Sequence, residues 1–208
     1  ENKLLVPING KPMIVLASET ITASKANSVT VITGFEEQKI KGVFLIIPES
    51  FEDDRGAFTR KFCKEEFSEH GLDNHVEQAN LSYNKNAYTL RGFHYQLEPY
   101  QESKTMTCLA GEIYDVVVDL RKDSPTYCDW ISVNLTPENG QSIHVPKGCA
   151  NSFLTLKNET FVHYYSSQKY EPNYERGINY KDPLFKFKWP HNPNVISEKD
   201  DSHEFYSA

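Results

Sequence analysis

The stretch Thr89-Leu90-Arg91-Gly92-Phe93-His94-Tyr95-Gln96 places a permanent cation, a titratable imidazole and two aromatic rings in one short run. If it is a strand, alternation sets Leu90, Gly92, His94 and Gln96 on one face and Arg91, Phe93 and Tyr95 on the other. His94 then lies beside a glycine small enough to let a ligand come close. Histidine has the unperturbed pKa nearest neutrality, so a half-buried one in a concave scaffold can take up and release protons. The ordinary alternative is a core histidine satisfied by a neighbour. A second run of interest is Gly111 to Leu120, where Asp115 and Asp119 share a strand face with Ile113 and Val117. Two carboxylates on an apolar face mark either an exposed edge or the lining of a pocket.

The elements that must position these groups read as strands from Gly42 onward. Val43 to Pro48 is an apolar run, Asp53-Asp54-Arg55-Gly56 a turn, and Lys64 to His70 a short amphipathic helix closed by Gly71. Asp123-Ser124-Pro125-Thr126 is turn chemistry, followed by a strand from Trp130 to Leu135. Short strands separated by Gly, Pro and Asn clusters indicate an all-β sandwich or jelly-roll barrel. Residues 173–208 read as coil with scattered prolines, a length that usually wraps a domain or contributes to a site. Residues 1–41 read differently, as a small βαβ-like appendage with a helix after Ile14 and a strand from Ser28 to Gly34.

Composition narrows the function classes. The 208 residues carry a formal charge of −7, which argues against nucleic acid as the partner. No apolar run approaches the roughly 20 residues of a membrane span, and no charged-then-apolar signal segment is evident, so the expectation is a soluble cytoplasmic protein without a membrane partner. Cys63, Cys108, Cys128 and Cys149 are far apart with no CxxC pair, as expected of reduced thiols rather than a zinc or disulfide framework. The 12 Tyr and 12 Phe suit sheets and stacking pockets.

The phrase Gly140-Gln141-Ser142-Ile143-His144-Val145-Pro146-Lys147-Gly148-Cys149-Ala150-Asn151 resembles the second motif of the cupin jelly roll. Metal-binding cupins place a histidine where Asn151 stands, and a His-x-His where this chain has His94-Tyr95-Gln96. A carboxamide is a poor ligand for a transition metal, so no metal and no other cofactor is expected. The phrases DDRGAF, LRGFHYQ, GEIYDVVVDLRKDSPTY, VPKGCANSFL, YERGINYKDP and ISEKD, in this order, resemble the metal-free cupins of the dTDP-4-dehydrorhamnose 3,5-epimerase family over about residues 42–200. Residues 1–41 resemble an internal slice of sugar nucleotidyltransferases that lacks the preceding glycine-rich phosphate loop, which leaves nucleotidyl transfer without its amide cradle.

The epimerase resemblance implies a cupin-type jelly roll over residues 42–208. It implies a nucleotide sugar as the small-molecule substrate and a homodimer that exchanges strands. It also implies roles: His94 as general base, Asp200 as the carboxylate that orients it, Tyr164 as general acid, and Lys104 as the cation facing an enolate oxygen. Arg55, Arg91, Gln78, Asn80, Asn151, Glu175 and Lys199 correspond to substrate contacts, and Tyr170 to an aromatic that stacks on the base. A ketone at C4 of a hexose acidifies the hydrogens on C3 and C5, and inversion needs a base and an acid on opposite faces of the ring. The sequence departs from the family at Asn151, where histidine is usual, at Arg60, where glutamate is usual, and at Ala57, where an aromatic is usual. The alternatives are a 3,4-ketoisomerase, an epimerase for another ketosugar, or a non-catalytic nucleotide-sugar-binding cupin.

Overall fold

A computed structural model describes residues 40–48 and 50–207, together with the strand backbone at 7–8, 11–12 and 31–33. Two sheets form the domain. The five-stranded sheet runs β11 (Trp130–Leu135), β10 (Ile113–Asp119), β13 (Cys149–Thr155), β8 (Leu90–Gln96) and β15 (Glu175–Gly177). The six-stranded sheet runs β3 (Val31–Thr33), β4 (Phe44–Ile47), β12 (Ser142–Val145), β9 (Lys104–Ala110), β14 (Thr160–Ser166) and β7 (Gln78–Asn84). All pairings within both sheets are antiparallel. Two hairpins stand apart: β1 (Pro7–Ile8) with β2 (Lys11–Pro12), and β5 (Ser50–Asp53) with β6 (Gly56–Thr59). Among the described residues the helices are short, α1 (Lys64–Glu69) and α2 (Glu198–Asp201), and none is long and apolar enough to cross a membrane. The all-β expectation therefore holds. The strand expected in the first segment is present at Val31–Thr33 and pairs antiparallel with β4, extending the larger sheet; the helix expected before it lies outside the described residues.

Period-two alternation sorts the apolar residues into two layers. Ile113 and Val117 of β10 point between the sheets and pack with Phe153, Ile131, Met106, Ile143 and Val162. The intervening Val116 and Val118 point outward, where they cluster with Phe93, Ala150, Ile178 and Phe185. Central strand β13 is buried along its whole length because both of its faces are covered. The cover is the segment after Gly177, whose Phe187 stacks on Phe93 with ring centroids 4.5 Å apart and whose Phe185 carbonyl accepts the Trp130 indole N–H at 2.9 Å. Residues 173–208, coil by pattern, both wrap the sheet and supply β15 and α2. Helix α1 buries Phe67 against Phe62, Leu72 and Ile46, and ends where Gly71 takes φ +71.

One local irregularity changes the reading of the octapeptide. In the β8–β13 ladder Arg91 pairs with Phe153 and His94 with Asn151, so three steps on β8 oppose two on β13. The bulge shifts side-chain parity, and Arg91 joins His94 on the inner face while Phe93 turns outward. Simple alternation, which set Arg91 opposite His94, is corrected here. Gly92 sits at the bulge with φ +108, and a Cβ there would lie 2.6 Å from the Asn151 carbonyl oxygen. Its small size serves the approach of β13, not that of a ligand.

Candidate active site

The two sheets bring different chemistry to one cavity of about 440 Å³. The five-stranded sheet supplies His94 and Arg91 from β8 and Asn151 and Phe153 from β13; the six-stranded sheet supplies Lys104 and Met106 from β9, Tyr164 from β14 and Asn80 from β7. Register explains the second set. Tyr164 lies opposite both Met106 and Asn80, and Ser166 opposite both Lys104 and Gln78, so these residues share one face. A second lobe of about 380 Å³ shares Asn80, His94, Lys104 and Tyr164 and runs on to Gln78, Tyr170 and Glu175.

His94 Nε2 lies 2.8 Å from Asp200 Oδ1, and the Gly92 amide donates to Asp200 Oδ2 at 3.0 Å. Asp200 is placed by α2, whose N-cap Ser197 accepts the Asp200 amide at 3.0 Å. Burial pushes the Asp200 carboxyl upward, but the hydrogen bond and charge of His94 and the Gly92 amide outweigh it and hold the group below the usual carboxylate range. An ionised Asp200 requires His94 to donate from Nε2, which leaves Nδ1 as the basic atom.

Lys104 is nearly buried, with its ammonium 2.9 Å from Glu102 Oε1, and Glu102 also accepts from the Ser166 hydroxyl. At the mouth, Tyr170 donates its hydroxyl to Glu175 at 2.8 Å and its amide to Gln78 at 3.0 Å, and half of its surface is exposed. Glu175 also holds the ammonium of Lys199. Burial raises the Glu175 carboxyl, but Lys199, Tyr170 and the charge of His94 bring it below its ordinary value. Arg91 donates to Asn84 Oδ1 at 2.7 Å, which fixes its guanidinium at the cavity rim.

Of the expected site residues, His94, Asp200, Tyr164, Lys104, Arg91, Asn80, Asn151, Gln78, Tyr170, Glu175 and Lys199 gather around the two lobes. Arg55 does not. It occupies the tip of the β5–β6 hairpin, 90% exposed and bound to Asp53, away from both lobes. Arg60 pairs with Glu66 at 3.1 Å. The residues not read from the sequence include Met106 and Phe153, which line the cavity, Glu102, which anchors Lys104, and His203. The spacing of His203 three residues after Asp200 was the available signal.

Asp115 and Asp119 are both fully buried, and neither forms an exposed edge. Asp119 is bound by Arg121, Ser124 and Thr126. Asp115 stands behind Asn151, whose amide donates to Met106 Sδ at 3.2 Å and to Asp115 Oδ2 at 3.4 Å, while Asp115 Oδ1 has no hydrogen-bond partner. Burial drives the Asp115 carboxyl well above its ordinary 3.8, against weaker opposition from Asn151 and Lys104. An acid raised in the folded state binds its proton more tightly than in the unfolded chain. The contribution of this group to stability is therefore fully present below pH 3.8 and is lost as pH rises toward and through the folded pKa. Asp115→Asn removes that decline. Calorimetry is expected to show Tm a few degrees higher than wild type near pH 7 and no difference near pH 3; equal Tm at both pH values would contradict a strained buried acid.

The buried thiols of Cys108 and Cys149 are pushed up by burial, to about 11 and about 12, which removes them as nucleophiles near neutral pH. Burial likewise lowers His144 to about 4, and Thr105 hydrogen-bonds its ring at 2.9 Å, so this histidine is a neutral core residue. Among the described residues His94, Asp200 and His203 bring ligand-type atoms within 4.8 Å of one another. The His94–Asp200 edge of that triangle is already a hydrogen bond.

The chain is similar to known proteins over most of its length. A profile of the family described as dTDP-4-dehydrorhamnose 3,5-epimerase matches residues 37–207. The chain is 39% identical over 169 residues to the dTDP-4-dehydrorhamnose 3,5-epimerase of Sinorhizobium fredii, covering 81% of this chain and 87% of that protein. Among solved structures, it is similar to the Bacillus anthracis dTDP-4-dehydrorhamnose 3,5-epimerase with TDP and pyrophosphate bound (TM-score 0.80, 34% identity, 85% of this chain and 100% of that one). It is also similar to the Legionella pneumophila dTDP-6-deoxy-D-glucose-3,5-epimerase in complex with dTDP-4-keto-L-rhamnose (TM-score 0.79, 32% identity, 85% and 93%).

Proposed function

This chain belongs to the dTDP-4-dehydrorhamnose 3,5-epimerase family, and on that premise we propose that it inverts ring carbons of a dTDP-linked 4-keto-6-deoxyhexose with His94 as base and Tyr164 as acid. One observation carries the assignment: the imidazole and the phenol come from opposing sheets and line the same cavity, with Lys104 beside them. A hexose between the sheets offers one ring face to each.

His94 Nδ1 removes a proton from a carbon next to the C4 ketone, and the electron pair delocalises into the carbonyl to give an enolate. The imidazolium is stabilised by Asp200 through Nε2. The Lys104 ammonium stabilises the enolate oxygen, a role that typically contributes about 10²- to 10³-fold in rate. Tyr164 then gives its hydroxyl proton to the carbon from the opposite face. Solvent takes the proton from His94 and restores the phenol, and the cycle repeats at the second carbon. Nucleotide contacts fall to the mouth, where Tyr170 is free to stack and Lys199, Arg91 and Gln78 are near.

Residues 1–41 are taken as an extension to an epimerase domain of residues 42–208, in a cytoplasmic enzyme. The exposed Leu81 and Tyr83 of edge strand β7 and the projecting hairpin with Phe51, Phe58 and Arg55 favour a homodimer in which Arg55 serves the partner's cavity. The test uses wild-type protein in D₂O with dTDP-4-keto-6-deoxyglucose, observed by proton NMR. Loss of the C3 and C5 ring signals with formation of the inverted sugar is expected, from a protein whose mass in solution is that of a dimer. Binding without exchange at either carbon would refute the enzymatic reading, and a monomer that turns over at full rate would refute the shared cavity.

A further inference from the structure

We propose that His203 is a positioning residue for the proton-transfer pair: its imidazole takes a share of Asp200 and so limits how strongly that carboxylate draws a proton onto His94. The proposal rests on the reading of Asp200 as the carboxylate partner of His94, and it adds a second imidazole to that carboxylate.

The geometry is specific. His203 Nε2 lies 3.6 Å from Asp200 Oδ1, the same oxygen that His94 Nε2 contacts at 2.8 Å. That nitrogen is buried and has no hydrogen bond of ordinary length, so the carboxylate oxygen is the anionic atom it faces. The two rings stand edge to face with centroids 5.9 Å apart.

The fold also holds the ring in place. The Asn179 side chain donates to the carbonyls of Asp201 and His203 at 3.0 and 2.9 Å, which pins the turn after α2. Gly177, opposite His94 in the ladder, leaves the space that the ring fills; a Cβ there would lie 2.2 Å from His203 Nε2.

The groups facing His203 are His94 from β8, Asp200 and Lys199 from α2, and Glu175 from β15. Burial first, then the charge of His94, keeps the His203 ring below its ordinary value, with Asp200 opposing. At neutral pH His203 is thus an uncharged ring, and we assign its proton to Nε2, the ring nitrogen nearest the carboxylate, so that the N–H dipole is turned toward Asp200. Part of Asp200's negative potential is satisfied by that dipole, and less remains to hold a proton on His94. Protonation of both imidazoles at once is disfavoured, because each raises the cost of charging the other.

The test follows the His94 ring proton by NMR titration in wild type, His203→Leu and His203→Gln, alongside the pH profile of kcat/KM. Leucine fills the space without a donor, and glutamine carries an N–H to about the position of Nε2. The expected result is a His94 midpoint higher by roughly half a pH unit in the leucine variant, and near the wild-type position in the glutamine variant. Should the leucine variant fail to fold, as judged by thermal melting, Gly177→Ala is expected to push the ring off Asp200 and raise the midpoint similarly. An unchanged midpoint in the folded variants, or glutamine shifted as far as leucine, would overturn the proposal. A midpoint that moves while the acid limb of kcat/KM stays fixed would support the His203 inference and remove His94 as the base.

Discussion

Replacing His94 with asparagine is expected to lower kcat by about 10³-fold or more, within the upper part of the range that a positioned general base supplies. Two functions disappear together. The Nδ1 lone pair that accepts the substrate proton is lost, and so is the Nε2 link that transmits the charge of Asp200 from 2.8 Å. The amide is polar and of similar breadth, so the cavity keeps its shape and substrate binding should change far less than kcat. Steady-state assays over a range of substrate concentrations separate the two effects. A variant within a few-fold of wild type would place the base elsewhere.

The second large effect concerns Tyr164. Tyr164→Phe removes only the hydroxyl, and the ring keeps its packing against the inter-sheet core. Loss of one general acid is expected to cost about 10²-fold in the rate of inversion. The variant should fold and melt like wild type, because its cross-strand partners Met106 and Asn80 are unchanged. An inversion rate equal to wild type would show that solvent or another residue delivers the proton.

Much of the site was legible because the chemistry sits on regular strands. Period-two alternation brings Ile113 and Val117 to one face of β10 and Val116 and Val118 to the other, as the two core layers require. The turn at Asp53 to Gly56 and the helix closed by Gly71 were readable from local residue chemistry alone. Alternation failed at Arg91, because a bulge depends on how closely β13 approaches Gly92 and no local pattern encodes that distance. His203 went unread for a related reason: its partner is the carboxylate that His94 uses, and the two histidines are brought together only when α2 docks against β8. Arg55 shows the converse. Its motif was recognisable, yet in its own chain Arg55 is exposed at a hairpin tip and lines neither lobe. Family resemblance can place a residue in a motif, but the distance between a hairpin tip and a pocket is settled by tertiary structure.

The assignment of base and acid to opposite sheets is tested most directly by proton NMR of Tyr164→Phe with substrate in D₂O. With the base intact and the acid gone, His94 should still remove the ring protons and return deuterium to the same face. Deuterium is therefore expected in the recovered, uninverted substrate at C3 and C5, at a rate well above that of product formation. Loss of exchange in step with loss of inversion would contradict the account, because it would mean that Tyr164, not His94, starts the reaction.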